Sequence, residues 1–145
     1  MSRRAVSYLL AGIATIPLMH SAVTASQAAP RTVWDGVYTE AQAKRAAPLY
    51  QEKCAKCHAA QLTGLDAPPL VGAAFSSNWN DLSVFDLSER IRISMPDDAK
   101  GSLTREQSAD LVAYMLQWAE MPAGKAELPT QADALKAIKY LGSKP

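Results

Sequence analysis

Apolar and polar positions between residues 39 and 141 recur mostly at helical spacing. Thr39-x-x-Gln42 is a capping-box pattern, and alanine-rich helix formers follow it to about Lys53. Ala46 and Tyr50 fall on one face of that helix at i, i+4, which suits a close helix crossing at Ala46. Pro48 conflicts with the pattern, because an interior proline removes a backbone donor and clashes one turn back; a kink is expected between Ala43 and Ala47. Ser83-Val84-Phe85-Asp86 opens a second helix, with Asp86 in the first turn where the helix dipole favours an anion. Val84, Leu87 and Ile91 form its apolar stripe. It should stop at about Ser94, since Pro96 disfavours a helical Met95. Thr104-x-x-Gln107 caps a third helix, from Arg105 to about Ala119, whose stripe is Ser108, Leu111, Val112, Met115, Trp118 and Ala119. A last short helix is expected from Gln131 to Leu141, ending at Gly142. Two stretches break the periodicity. Residues 30–38 read as an extended arm with a turn at Asp35-Gly36; Val33, Trp34, Val37 and Tyr38 are too apolar for a free tail, so the arm should pack on the body. Residues 59–82, with Gly64, Asp66, Pro68, Pro69 and Gly72, read as a loop. The expected fold class is all-α, a bundle of three to five helices.

Composition narrows this picture. A chain of 145 residues suits one domain, and its ordinary apolar content implies a packed core. Lys and Arg number 15 against 14 Asp and Glu, with no long basic run, so nucleic acid is not an expected partner. No apolar run is long enough for a stable membrane span. Residues 1–28 read as a cleaved export signal: Arg3 and Arg4 form a positive start, Val6 to Met19 an apolar stretch broken by Gly12 and Pro17, and small residues follow. Cleavage after Ala28 is preferred over cleavage after Ala25; an uncleaved anchor is the alternative. Loss of Arg3 and Arg4 takes the formal charge from +1 to −1. The chain then divides into the signal, an arm (29–38), a main domain (39–119) and a C-terminal extension (120–145), with the mature protein expected in the periplasm.

The chemistry centres on Cys54-Ala55-Lys56-Cys57-His58, the C-x-x-C-H attachment pattern for haem c. Two thiols at this spacing can add to the two vinyl groups on one edge of a porphyrin. The adjacent imidazole can then reach the iron. A zinc site would want a second ligand pair, and the only other histidine, His20, lies in the signal. A thioredoxin-like dithiol would want a βαβ context, and a plain disulfide would leave His58 unexplained. Export supports the haem reading, since attachment gives the two sulfurs a fate other than a disulfide in an oxidising compartment. Met95 offers a soft thioether for the sixth position on iron, and Met/His ligation raises the reduction potential. Leu62, Leu65, Leu70 and Phe75 are candidates to line the histidine side. Trp79 carries an N–H that needs a partner when buried, either a haem propionate or a backbone carbonyl. Arg90 and Arg92 are weaker candidates for the propionates.

With these residues in place, the chain resembles class I c-type cytochromes. Ala46-x-x-x-Tyr50 stands before Cys54 where that family usually has glycine and an aromatic residue. Pro68-x-Leu70 is similar to the segment whose proline carbonyl accepts a hydrogen bond from the proximal histidine. Asp110-Leu111-Val112-Ala113-Tyr114-Met115 resembles the family's C-terminal helix. Alanine at 46 and proline at 48 depart from the pattern. A narrower resemblance, carried by Trp34-Asp35-Gly36-Val37-Tyr38, the Phe75-x-x-x-Trp79 region, Ser94-Met95-Pro96 and Met121-Pro122-Ala123-Gly124-Lys125, is to small monohaem cytochromes associated with bacterial quinoprotein dehydrogenases. The resemblance implies a cytochrome c-like bundle around one covalently bound haem c, and an electron carrier or a cytochrome subunit held by a dehydrogenase rather than an enzyme. It also implies redox partner proteins: a quinoprotein dehydrogenase as donor, and a terminal oxidase or other cytochrome as acceptor. Iron ligated on both faces favours one-electron transfer between Fe(III) and Fe(II). The alternative, a five-coordinate haem sensor or haem enzyme taking a small gas or peroxide, requires Met95 off the iron, and the chain lacks an obvious distal acid–base residue.

Overall fold

The computed structural model describes residues 31–145; the export signal expected over 1–28 lies outside them. Two long helices, capped by their own sequence, form the frame. Helix α1 (Glu40–Lys53) starts at Thr39, whose hydroxyl accepts from the Gln42 N–H at 3.1 Å. Only half of the expected capping box forms. The buried Gln42 side chain turns instead to Leu128, donating to its carbonyl at 3.1 Å and accepting from its N–H at 2.7 Å. The helix is continuous through Pro48, which sits on the exposed face together with Lys44, so water can reach the Lys44 carbonyl that proline leaves without a donor. Helix α5 (Arg105–Trp118) begins with a complete box between Thr104 and Gln107.

The two helices cross with small residues between them. Ala43 and Ala46 on α1 and Ala109 and Ala113 on α5 are all buried. Every residue from Ser108 to Leu116 is buried, so α5 is enclosed on all sides rather than along one stripe. Trp118, expected on that stripe, is 41 % exposed instead, because the chain leaves the core at the end of the helix. Arg45 ties the crossing to the C-terminal segment: its guanidinium makes two bonds to Asp110 at 2.7 and 2.8 Å and two to Glu127 at 2.9 and 3.0 Å. Helix α4 (Val84–Ser94), started by a capping box between Ser83 and Asp86, packs on α5 through a buried Ser88–Ser108 hydroxyl contact of 3.1 Å.

Two features depart from the expected elements. Helix α2 (Ala55–His58) precedes the stretch from residue 59 that its glycines and prolines predict as a loop, and within that stretch stands a short helix, α3 (Ala73–Trp79). The tail helix is shorter than expected. It is α6 (Ala132–Lys136), and the chain then extends as β2 (Ile138–Lys139), parallel to β1 (Arg31–Thr32). Ile138 and Tyr140 are buried and Lys139 is exposed, so residues 138–140 bury alternate side chains as a strand does. The arm packs on the body as expected, with Val33, Val37 and Tyr38 buried. At its turn Gly36 takes a φ of +61°, and its carbonyl oxygen would lie 1.9 Å from a Cβ on Gly124. Only glycine at 124 allows the arm and the C-terminal segment to meet this closely. No helix among the described residues is long and apolar enough to cross a membrane.

Candidate haem-binding site

A cavity of about 690 Å³ opens between the end of α1, α2, the loop at 66–70, α3, α4 and α5. Its apolar wall is made by Leu70, Phe75, Leu87, Ile91, Leu111 and Met115. Cys54 closes α1, its N–H donating to the Tyr50 carbonyl at 2.9 Å, and the single turn of α2 carries Cys57 and His58 onto the same wall. Both thiols are free and half-buried. Burial pushes the Cys54 thiol up to about 11, and the neighbouring Cys57 adds to the shift. Tyr50 fixes this corner from below. Its hydroxyl donates to the Ala59 carbonyl at 2.8 Å, its ring lies 5.1 Å from that of Tyr114, and burial raises the pKa of its phenol.

His58 is oriented by the loop that follows it. Its Nδ1 lies 2.7 Å from the Pro68 carbonyl oxygen. A carbonyl only accepts, so Nδ1 carries the proton and Nε2 keeps its lone pair for a metal. The loop is pinned by Gly64 N–H to the His58 carbonyl at 3.0 Å, Ala67 N–H to the Cys57 carbonyl at 3.0 Å, and Leu70 N–H to the Leu62 carbonyl at 2.8 Å. Gly64 has a φ of +83°, and a Cβ there would stand 2.8 Å from the Pro69 nitrogen, so the tight loop requires glycine.

Met95 reaches the cavity because of helix geometry. Leu87, Ile91 and Met95 are spaced by four, and all three line the cavity. The Met95 N–H still donates to the Ile91 carbonyl at 3.0 Å, while its backbone is extended (φ −123°, ψ 153°), as expected before Pro96. Trp79 and Phe75, rings 6.0 Å apart, stand together on the wall contributed by α3. Asn78 and Arg90 line it too. At the rim, Lys56 is ion-paired with Asp98, which raises the lysine pKa and holds the aspartate below the usual carboxylate range. Lys53 pairs with Glu52 at 2.7 Å and Lys100 with Asp97 at 2.9 Å.

Cys54, Cys57, His58, Pro68, Leu70, Trp79 and Met95 thus meet on one cavity. Other expectations need correction. Leu65 is 72 % exposed and turns outward: its N–H donates within the loop to the Ala67 carbonyl, and the contact to the His58 ring is the Pro68 carbonyl. Leu62 is fully buried beneath the loop and is absent from the cavity lining. Arg92 is engaged by Glu89, its Nε bonded at 2.9 Å, which leaves Arg90 as the arginine on the cavity. Tyr50, Asn78, Leu82, Leu111 and Met115 also line it. Leu111 and Met115 belong to the stripe of α5, but periodicity alone does not separate a core position from a cofactor wall.

The family model for cytochrome c oxidase, cbb3-type, subunit III matches residues 41–115, slightly more than half the chain. The chain belongs to this family. Neither a curated protein nor a solved structure matches it. The stretch matched by the cbb3-type subunit III family runs from the first turn of α1 to Met115 and contains the motif and Met95. Membership identifies a c-type cytochrome domain, with covalently bound haem and haem-based electron transfer as its chemistry. The residues present fit that group. The cavity volume is in the range of cofactor sites, two free thiols lie on its wall, and the His58 nitrogen not bonded to Pro68 is free for iron.

Proposed function

We propose that this protein is a periplasmic monohaem electron carrier that takes electrons from a dehydrogenase and passes them to a respiratory acceptor. The observation that carries the reading is the placement of a carbonyl-oriented imidazole, His58, and a thioether, Met95, on one apolar cavity beside two free thiols. Bound haem supplies one-electron exchange between Fe(III) and Fe(II). Cys54 and Cys57 would hold it as thioethers. His58 Nε2 and Met95 Sδ would be the side-chain ligands that hold its iron, which would leave no open place there for a substrate. The aliphatic wall keeps water away, which limits reorganisation around the metal. Trp79 and Arg90 are the cavity groups suited to the propionates.

The export signal read at 1–28 supports a periplasmic location, and the resemblance to small cytochromes of quinoprotein dehydrogenases supports such a donor. A terminal oxidase or another cytochrome is the matching acceptor. Docking would occur at the rim, where Leu82 is 43 % exposed. The charges there are largely paired among themselves, so association should be only modestly steered by ionic strength.

The holoprotein should carry one haem per chain that stays attached under denaturing, reducing conditions, and should titrate as a single one-electron couple. Haem lost on denaturation, or a second couple of equal amplitude, would overturn the monohaem carrier.

A further inference from the structure

Helix α3 carries Phe75, Asn78 and Trp79 of the cavity wall, yet it spans only Ala73–Trp79 and has no side-chain cap at its start. A helix this short has no stability of its own. Its place is set by what lies behind it, and that is the end of the chain, beyond the stretch the family model matches. Tyr140 is 2 % exposed and stands edge-on to Phe75, ring centroids 5.9 Å apart at 80°. Its hydroxyl meets Ser76 Oγ at 3.3 Å. Its backbone is locked on both sides, with Asp81 N–H donating to its carbonyl and its N–H donating to the Leu82 carbonyl, each at 2.9 Å. The Gly142 N–H donates to Asn80 Oδ1 at 2.9 Å, and the Trp34 indole N–H reaches the Leu141 carbonyl at 2.9 Å, joining the arm to the same support. Contact is close: a Cβ on Gly142 would lie 2.9 Å from Ser76 Cβ.

We infer that Tyr140 is a positioning residue for the haem site: by pressing on Phe75 it holds α3 against the cavity, keeps that wall dry and sets the reduction potential. The inference rests on the electron-carrier reading above. Ferric haem carries one more positive charge than ferrous haem, so a dry wall disfavours the ferric form and raises the potential, and water behind Phe75 reverses this. Tyr140 touches no reacting group. Its effect runs through α3.

The test compares midpoint potentials and thermal unfolding of the holoproteins of the wild type, Tyr140→Phe, Tyr140→Ala and Gly142→Ala. Tyr140→Phe keeps the ring against Phe75 and should keep the wild-type potential. Tyr140→Ala should lower the potential while the visible spectrum still reports two axial ligands. If Tyr140→Ala does not accumulate, Gly142→Ala carries the same test, since it removes no side chain and displaces Ser76 directly; its potential should also fall. Lower melting temperatures with an unchanged potential would overturn the inference while leaving the carrier reading intact. Absence of covalent haem from the wild-type chain would overturn both.

Discussion

Met95→Ala is expected to convert a closed haem site into one that takes up carbon monoxide, and to lower the reduction potential substantially. The substitution removes the only ligand-bearing side chain at that position and little else. Met95 follows the last residue of α4, and alanine keeps both its extended backbone and the N–H bond to Ile91. The helix end therefore survives and the iron loses one ligand. Among the described residues the only histidine, His58, would already hold the iron, and the other thioether on the cavity, Met115, is buried within α5, so water is the expected replacement. Axial ligation spans roughly 0.8 V of haem potential, and a thioether stabilises Fe(II) relative to an oxygen ligand. The change should thus exceed anything achieved by Tyr140→Ala. The checks are a visible titration with carbon monoxide and a potentiometric titration. A variant that ignores carbon monoxide and keeps the wild-type potential would remove Met95 from the iron.

Replacing both Cys54 and Cys57 with alanine should abolish covalent haem and with it cooperative folding. Leu70, Trp79, Ile91 and Met95 on the cavity wall are only partly buried by the chain itself, which leaves a side of each on the cavity. Without the ring those sides have no packing partner. At about 24 cal/mol per Å³, even about 150 Å³ left unfilled costs roughly 4 kcal/mol. That is a large part of the ~5–15 kcal/mol holding an ordinary domain together. Haem staining after denaturing electrophoresis should be lost, and the thermal transition should become broad and shallow. A sharp transition within a few degrees of the wild type would show that the polypeptide alone supplies the stability.

These consequences trace to residues of unequal legibility. The C-x-x-C-H motif, the caps at Thr39, Ser83 and Thr104, and the stop before Pro96 act within a few residues of themselves, so the sequence carries them openly. Met95 stands out in the sequence by its thioether alone; that the spacing of four after Leu87 and Ile91 carries it onto the cavity is seen only in the structure. What stayed hidden depends on distant partners. Helix α3 has no local start signal and is held by Tyr140 and Asn80–Gly142 contacts far along the chain. The pairing of Arg31–Thr32 with Ile138–Lys139 joins residues 107 apart, which no local pattern announces. The tail suits a longer helix by its local end signals, with a start after Thr130 and a stop at Gly142; the β1 edge and the Leu82 carbonyl offered the backbone better partners. Gln42 illustrates the same competition at one side chain, since it leaves the helix cap half made to bond both sides of Leu128.

The most direct measurement is the visible spectrum of the purified holoprotein, oxidised and then reduced, with and without carbon monoxide. A low-spin spectrum in both states, unmoved by carbon monoxide, is the expected result: both axial positions are filled from His58 and Met95, and the protein carries electrons. A high-spin spectrum that shifts with carbon monoxide would contradict the closed site and place the protein among haem sensors or haem enzymes.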